Sequence, residues 1–266
     1  MPTQRFTEQM QAYGRWRTEL LEAIERYQAW LEANGMAEPE DELRLFETMQ
    51  GLRSDRLTIA FVAEFSRGKT ELINAIFFSE YDRRLLPSEA GRTTMCPTEL
   101  FYDSEAGEAY IRLLPLETRL QDTSIAEYKK DPIQWTTVPL ELDRPDHMAE
   151  AFREIVKTKK VPAREAWELG LLTEEPEGEA AEAPVEVPLW RHALISFPHP
   201  MLKEGLVILD TPGLNAMGSE PELTLNMLPN AQGVVFVLAA DTGATKSDLE
   251  MWHHHVQPLR GPARRG

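Results

Sequence analysis

The tract Ala63-Glu-Phe-Ser-Arg-Gly-Lys-Thr70 has the residue types and the spacing to hold a phosphate chain. It matches G-x-x-x-x-G-K-[ST] at every defined position but the first. There Ala63 stands for glycine, and a positive φ would cost roughly 1–3 kcal/mol. A loop of this kind turns its backbone N–H groups inward at the start of a helix, where they favour anionic oxygens. In such a cradle Glu64, Phe65, Ser66, Arg67 and Gly68 line the phosphates, Lys69 reaches the β and γ phosphates, and the Thr70 hydroxyl ligates Mg²⁺. A second tract, Asp210-Thr-Pro-Gly213, follows directly on the apolar run "GLVIL". Asp210 would hold the metal through water and Gly213 would offer its N–H to the γ-phosphate. Alone, D-x-x-G is ordinary turn chemistry; downstream of a phosphate loop it gains meaning. Between the two lies "LLPSEAGRTTMCPTE", where Thr93 and Thr94 are both candidates to place a hydroxyl on the metal and a backbone group on the attacking water.

These residues need a scaffold, and the flanking pattern supplies one. The apolar run Leu57–Val62 precedes the loop, and a helix carrying Leu72, Ile73, Ile76 and Phe77 follows it. From Leu57 onward short apolar runs alternate with helical stretches, which predicts an α/β domain built on a largely parallel sheet. The expected strands are Leu57–Val62, Thr98–Tyr102, Ala109–Leu114, Ala193–Phe197, Leu206–Asp210 and Gly233–Ala240. A long interruption, Glu117 to Trp190, reads as mostly helical and polar. Within it "TEEPEGEAAEAPVEVP" carries six glutamates and no basic residue, the composition of a solvated, mobile loop.

Residues 4 to 53 read differently, as a helical hairpin. Trp16, Leu20, Leu21, Ile24, Tyr27 and Leu31 recur at spacings of three and four, Gly35 and Pro39 break the pattern, and Leu43, Leu45, Phe46 and Met49 resume it. This hairpin either packs on the main domain or serves as a partner-binding arm. The division expected is therefore 1–54 for the hairpin, 55–258 for the α/β domain with its insertion at 117–190, and 259–266 for a basic tail containing Arg260, Arg264 and Arg265. The fold class is an α/β P-loop NTPase, a three-layer sheet incomplete at its C-terminal edge.

Composition narrows the function classes. A net charge of −16 argues against broad electrostatic binding to nucleic acid or to an anionic membrane, so no nucleic-acid partner is expected. Cys96 is the only cysteine, which excludes an intrachain disulfide and a cysteine-rich metal site; it reads as a small buried thiol. The polar N-terminus lacks the apolar core of a secretion signal, and no apolar run approaches the roughly 18 residues of a membrane helix. A cytoplasmic protein is expected, with any membrane contact peripheral. The adjacent His253, His254 and His255 point different ways on a helix and read as solvated surface rather than a metal site.

Together the phosphate loop, "LLPSEAGRTTMCPTE", "DTPG" and "FVLAADTGATKSDLEMW" resemble the N-terminal part of the GTPase domain of bacterial dynamin-like proteins, from about Leu57 to Val256. The resemblance implies GTP and Mg²⁺ as ligands, hydrolysis of the γ-phosphate, and a homodimer across the nucleotide face. It selects Thr94 over Thr93, because the family's switch threonine lies three residues after the glycine of a Leu-Pro-x-x-x-Gly segment and three before a proline, here Gly91 and Pro97. It makes Lys69, Thr94 and Ser66 the catalytic set, Ser66 falling where dynamins hold a charge-compensating monovalent cation. It assigns the metal to Thr70, Thr94 and Asp210. Phe65 stands where classical dynamins place a glutamine near the catalytic water, a departure from the family's hydrolytic pattern. The family also pairs its N-terminal helix with helices beyond the GTPase domain, a role that residues 4 to 53 fit.

A guanine-specific site further needs [NT]-K-x-D. Thr245-Lys-Ser-Asp248 has the letters but follows the Gly233–Ala240 strand directly, so it reads as a helix start with Ser247 or Asp248 as N-cap. The expectation is a truncated or frame-disrupted chain lacking the base motif, with guanine discrimination lowered by about two to four decades and "GVVFVLAA" left as an open apolar edge. Peripheral membrane contact would then belong to a full-length form. Two alternatives stand beside the GTPase reading: a nucleotide-binding module with little turnover, and a P-loop ATPase.

Overall fold

A computed structural model describes residues 2–36, 45–46, 48–49, 52–53, 56–63, 67–81, 84–87, 96–121, 123–172, 174–211, 231–241 and 243–253. Its centre is a seven-stranded sheet in the order β4-β3-β7-β2-β8-β1-β9. Strands β1 (Leu57–Val62) and β8 (Leu206–Asp210) form where the sequence is continuously apolar, as strands covered on both faces require. Around them lie β2 (Thr98–Phe101), β3 (Tyr110–Pro115), β7 (Trp190–Ser196) and β9 (Gly233–Phe236). β1 runs parallel to β8 and β9, and β2 parallel to β7. The β2–β8, β3–β7 and β3–β4 pairs are antiparallel. The sheet is therefore mixed, not largely parallel. Alternation of apolar runs marks strands without fixing their direction, and only a crossover long enough to traverse a sheet face returns the chain parallel.

Helix α1 (Pro2–Ala33) precedes the sheet, and α2 (Lys69–Phe77) follows the phosphate loop. One face of the sheet packs Phe61, Leu100, Ile111, Leu113, Ile195 and Ile208 against Ile73 and Phe77 of α2, and against Met148 and Phe152 of a helix over Pro145–Arg153. The opposite face carries Ala60, Val62 and Leu209 beside Phe236 and Trp252, and farther along Phe101, Leu114, Leu194 and Val207 with Tyr128 and Trp135. β9 lies at the edge of the sheet among the described residues and ends at Phe236, short of the expected Ala240; Ala239 instead bridges back to Gly243.

The insertion departs most from expectation. It holds β4 (Thr136–Pro139), which extends the main sheet, and β5 (Thr158–Pro162) and β6 (Pro184–Pro188), which form a separate antiparallel pair. Leu116, Val161, Ala166, Leu169, Leu171 and Val187 close a small second core beneath that pair. The acidic tract is thus not a loop throughout. Its glutamates stay exposed, but Val187 is buried and Val185 half-buried, so "VEV" is the period-2 signature of a strand with one covered face.

In α1 the expected stripe divides. Leu31 is buried, whereas Trp16 and Tyr27 are 51% and 52% exposed, stacked on Tyr13 and Trp30. Residues 45, 46, 48, 49, 52 and 53 are helical, and Arg53 reaches back to Glu25 at 2.8 Å. The rest of the hairpin's second arm lies outside the described residues. Among these, no helix is long and apolar enough to cross a membrane.

Candidate functional site

β1 and β8 are parallel neighbours with Phe61 opposite Asp210, so their C-terminal ends open on the same side of the sheet. The chain leaves β1 at the buried Ala63 and re-enters regular structure at Lys69. Gly68 turns it there with φ of 82°. A Cβ at that position would meet nothing within 4 Å, so the backbone conformation, not the available space, calls for glycine.

Lys69 Nζ lies 3.3 Å from Asp210 Oδ1, and the Thr70 hydroxyl donates to Asp210 Oδ2 at 3.2 Å. Lys69 and Asp210 are both buried. A charge of either sign left alone there would be strongly destabilising, and the pair removes most of that cost. The match is incomplete. Lys69 is close enough to Oδ1 for a hydrogen bond but misaligned for one, and among the described residues no other donor reaches that oxygen. A buried carboxylate oxygen with spare acceptor capacity next to a threonine hydroxyl is a hard-oxygen donor set of the kind Mg²⁺ takes. The Thr211 hydroxyl, donating to Phe61 O at 2.9 Å, locks the start of the D-x-x-G turn onto β1.

The tract carrying Thr94 is held at both ends. On its way in, Asn74 of α2 clamps Leu86: the Asn74 amide donates to Leu86 O at 2.8 Å, and Leu86 N–H donates to Asn74 Oδ1 at 2.9 Å. On its way out, Thr98 sits directly opposite Asp210 in the β2–β8 ladder. Cys96 is buried at this exit, as expected, and burial pushes its thiol up. Thr93 and Thr94 themselves lie outside the described residues, as do Glu64, Phe65, Ser66 and Gly213. Lys69, Thr70 and Asp210 are brought together.

"TKSD" opens helix α3 (Lys246–Met251), but its N-cap is Thr245, not Ser247 or Asp248. Thr245 and Asp248 form a capping box. Asp248 N–H donates to Thr245 Oγ1 at 3.2 Å, while Asp248 Oδ2 accepts from Thr245 N at 2.9 Å. Its Oδ2 is thereby committed to the helix start. Arg67 Nη2 of the phosphate loop stands 4.0 Å from it.

Sequence reasoning missed Asn74, since a lone asparagine in a helix carries no positional signal. It also missed a buried charge group. Glu99 on β2 lies 3.1 Å from His192 Nε2 on β7 and pairs with Lys129. Burial acts to raise the Glu99 carboxyl, but the His192 hydrogen bond and the charges of His192 and Lys129 outweigh it and hold the group at about 2. His192 is fully buried, and burial pushes it below the ordinary histidine range, while the Glu99 carboxylate beside it acts the other way.

A glycine-turned loop between a strand and a helix, with a lysine and a threonine converging on an aspartate at the end of the neighbouring parallel strand, defines a P-loop nucleotide-binding domain. Residues 59–262 match the family model of the dynamin family, and the chain belongs to that family. The isoniazid-induced protein IniA of Mycobacterium tuberculosis, in strains CDC 1551 / Oshkosh and ATCC 25618 / H37Rv, is 40% identical over 71 residues, which is 24% of this chain and 11% of IniA. Among solved structures, a chain of an oligomerised bacterial dynamin pair, described as a mechanism for long-range sensing and tethering of membranes, superposes with a TM-score of 0.50 at 17% identity. That likeness covers 92% of this chain and 31% of the other, and speaks to the fold alone. A second chain from the same pair gives a TM-score of 0.48 at 15% identity, over 91% of this chain and 36% of its own length.

Proposed function

We propose that this chain binds GTP and hydrolyses its γ-phosphate. The observation that carries the reading is the convergence of Lys69 and Thr70 on the buried Asp210, 3.3 and 3.2 Å away. Lys69 offsets the charge that develops on the transferring phosphoryl group, at a place where low polarity makes one ammonium count for more than it would in water. Thr70 and Asp210, joined by Thr94 in this proposal, would hold Mg²⁺. When bound, that ion supplies charge compensation to the β and γ oxygens. Ser66 supports the loop, and Gly213 offers its N–H to the γ-phosphate. Thr94 orients the attacking water; its tract enters beside α2 and leaves beside Asp210. Self-association across the nucleotide face belongs to the same proposal, and it makes the specific rate rise with protein concentration.

The test is titration of fluorescent GTP and ATP with Mg²⁺ against the wild type and Lys69→Ala, with phosphate release followed in parallel. Binding that is lost in the variant, together with release of phosphate from GTP, is the expected result. Binding without release selects the nucleotide-binding module, the reading that Phe65 at the glutamine position favours. Equal affinity for ATP makes the chain a general P-loop NTPase, consistent with "TKSD" serving as a helix cap. No binding of either nucleotide by the folded wild type refutes the proposal.

A further inference from the structure

Away from the phosphate loop, two guanidinium groups lie on aromatic rings and lack an acidic partner among the described residues. Phe101 ends β2, Tyr110 begins β3, and Ser196 of β7 is in register with both, so the two rings share one row across the sheet. Arg112 Cζ stands 4.2 Å from the centre of the Tyr110 ring, and Arg56 Cζ 5.2 Å from that of Phe101. Their charges meet at one place. Burial and the hydrogen bond to Asp103 raise the Tyr110 phenol, and Arg112 and Arg56 both act to lower it. Neither guanidinium has an ion pair or a hydrogen bond among the described residues, and Arg112 Nε is buried without an acceptor. Asp103 feels the charge of Arg112 but is committed to its own turn. Its Oδ2 accepts from the Tyr110 hydroxyl at 2.6 Å, and its Oδ1 from the N–H groups of Glu105 and Ala106 at 3.2 and 3.0 Å.

Stacking holds a guanidinium by its face and leaves its in-plane N–H donors available. Two like charges in one neighbourhood repel, and a buried donor without an acceptor is costly, so an anion bound by both groups relieves both strains. The two forks are rooted apart, one just before β1 and one in β3, and they reach a ligand from two sides. A tetrahedral dianion offers separate oxygens to each fork, whereas a carboxylate offers one planar edge and half the charge. We propose that Arg56 and Arg112 form a phosphate site separate from the phosphate loop, which takes inorganic phosphate or a phosphomonoester at the opposite end of the sheet. Arg56 directly precedes β1 and the phosphate loop follows it, so the six residues of that strand, about 20 Å, lie between the two sites. The site stands whether or not the phosphate loop holds a nucleotide, and Lys69 has no part in it.

The test is equilibrium dialysis of radiolabelled inorganic phosphate against the wild type, Arg56→Ala, Arg112→Ala, Arg112→Lys and Lys69→Ala, with melting curves to show that each variant folds. Arg56 is exposed, so its truncation reads binding without disturbing the core. Arg56→Ala and Arg112→Ala are each expected to weaken this phosphate binding about tenfold or more, the loss that follows removal of a charge-assisted hydrogen bond. Arg112→Lys keeps the charge without the planar fork and loses less than Arg112→Ala. Lys69→Ala retains the arginine-dependent binding. Flotation with phosphatidylcholine vesicles, with and without phosphatidic acid, separates the sources of the group. Capture that needs both phosphatidic acid and the two arginines makes the ligand a lipid headgroup, and phosphate binding without capture makes it a free phosphate. Phosphate binding that is unchanged in folded Arg56→Ala and Arg112→Ala, or lost only in Lys69→Ala, overturns the proposal. So does a wild type that takes up neither phosphate nor phosphatidic acid vesicles, and so does succinate displacing phosphate as well as unlabelled phosphate does.

Discussion

Replacing Asn74 by alanine tests how firmly the phosphate-loop helix grips the tract that follows it. Asn74 is 5% exposed and Leu86 3% exposed, and the two exchange a pair of hydrogen bonds at 2.8 and 2.9 Å. Truncation leaves the Leu86 N–H and C=O buried with no partner, about 1–3 kcal/mol for each group. Alanine also improves helix propensity over asparagine, by up to about 0.7 kcal/mol, with the opposite sign. The net expectation is a loss of about 2–5 kcal/mol, a large part of the 5–15 kcal/mol that holds a typical domain folded. Equilibrium urea denaturation measures it, with Leu72→Ala on the more open face of the same helix as control. The control loses little, because it strands no polar group. If Asn74→Ala is as stable as the wild type, or more stable, propensity alone governs the position. The clamp would then contribute nothing to fixing the entry to the Thr94 tract.

Two further outcomes follow from buried ionisable groups. Glu99 is held at about 2, below its unfolded value of 4.5, so its contribution is complete above pH 4.5 and is lost as pH falls toward 2; that contribution is about 3 kcal/mol. Chemical denaturation across that window should show the wild type losing stability steeply and Glu99→Gln only weakly, and parallel slopes for the two would contradict the pairing. Cys96, buried with its thiol pushed up, should react with a thiol reagent at pH 8 orders of magnitude more slowly in the folded chain than in urea, and a fast folded-state reaction would show the exit of the Thr94 tract to be open.

Legibility in the sequence tracked how local the determining physics is. β1 and β8 appear at the bounds their apolar runs mark, because a strand covered on both faces must be apolar at consecutive positions. That Lys69, Thr70 and Asp210 converge was legible because the loop motif fixes the spacing of the first two and the apolar run before Asp210 sets it at the end of the adjacent strand. β4 was not legible: "TTVP" is mostly exposed and polar, and it becomes a strand only because β3 offers it a ladder. The β5–β6 pair hid inside an acidic tract whose charge dominated the reading, although "VEV" carried the alternation. Thr245 shows a finer failure. T-x-x-D is nearly a capping-box signature, yet attention to the guanine letters placed the cap two or three residues too late. Glu99 and His192 are 93 positions apart, and only the β2–β7 pairing makes them neighbours.

The electrostatics of the site explain why a nucleotide reading needs more than the loop. Under the proposed function Asp210 is buried at the very place where a γ-phosphate would bring further negative charge, and among the described residues Lys69 is the cation paired with it. One ammonium cannot balance a carboxylate and a triphosphate together at low polarity, where like charges a few ångströms apart repel strongly. Under that reading, admission of the phosphate demands added positive charge beside Asp210, which a divalent cation held by Thr70 and Asp210 would supply. Asp248 presents the same imbalance in milder form. Asp248 is as deeply buried as Asp210, but its Oδ2 already accepts two hydrogen bonds from Thr245, and Arg67 Nη2 stands 4.0 Å from the same oxygen. The two buried carboxylates therefore differ in need: Asp248 has one oxygen occupied by the helix cap, whereas Asp210 has Lys69 and Thr70 beside it and, under the proposed function, would gain the ion that arrives with the ligand.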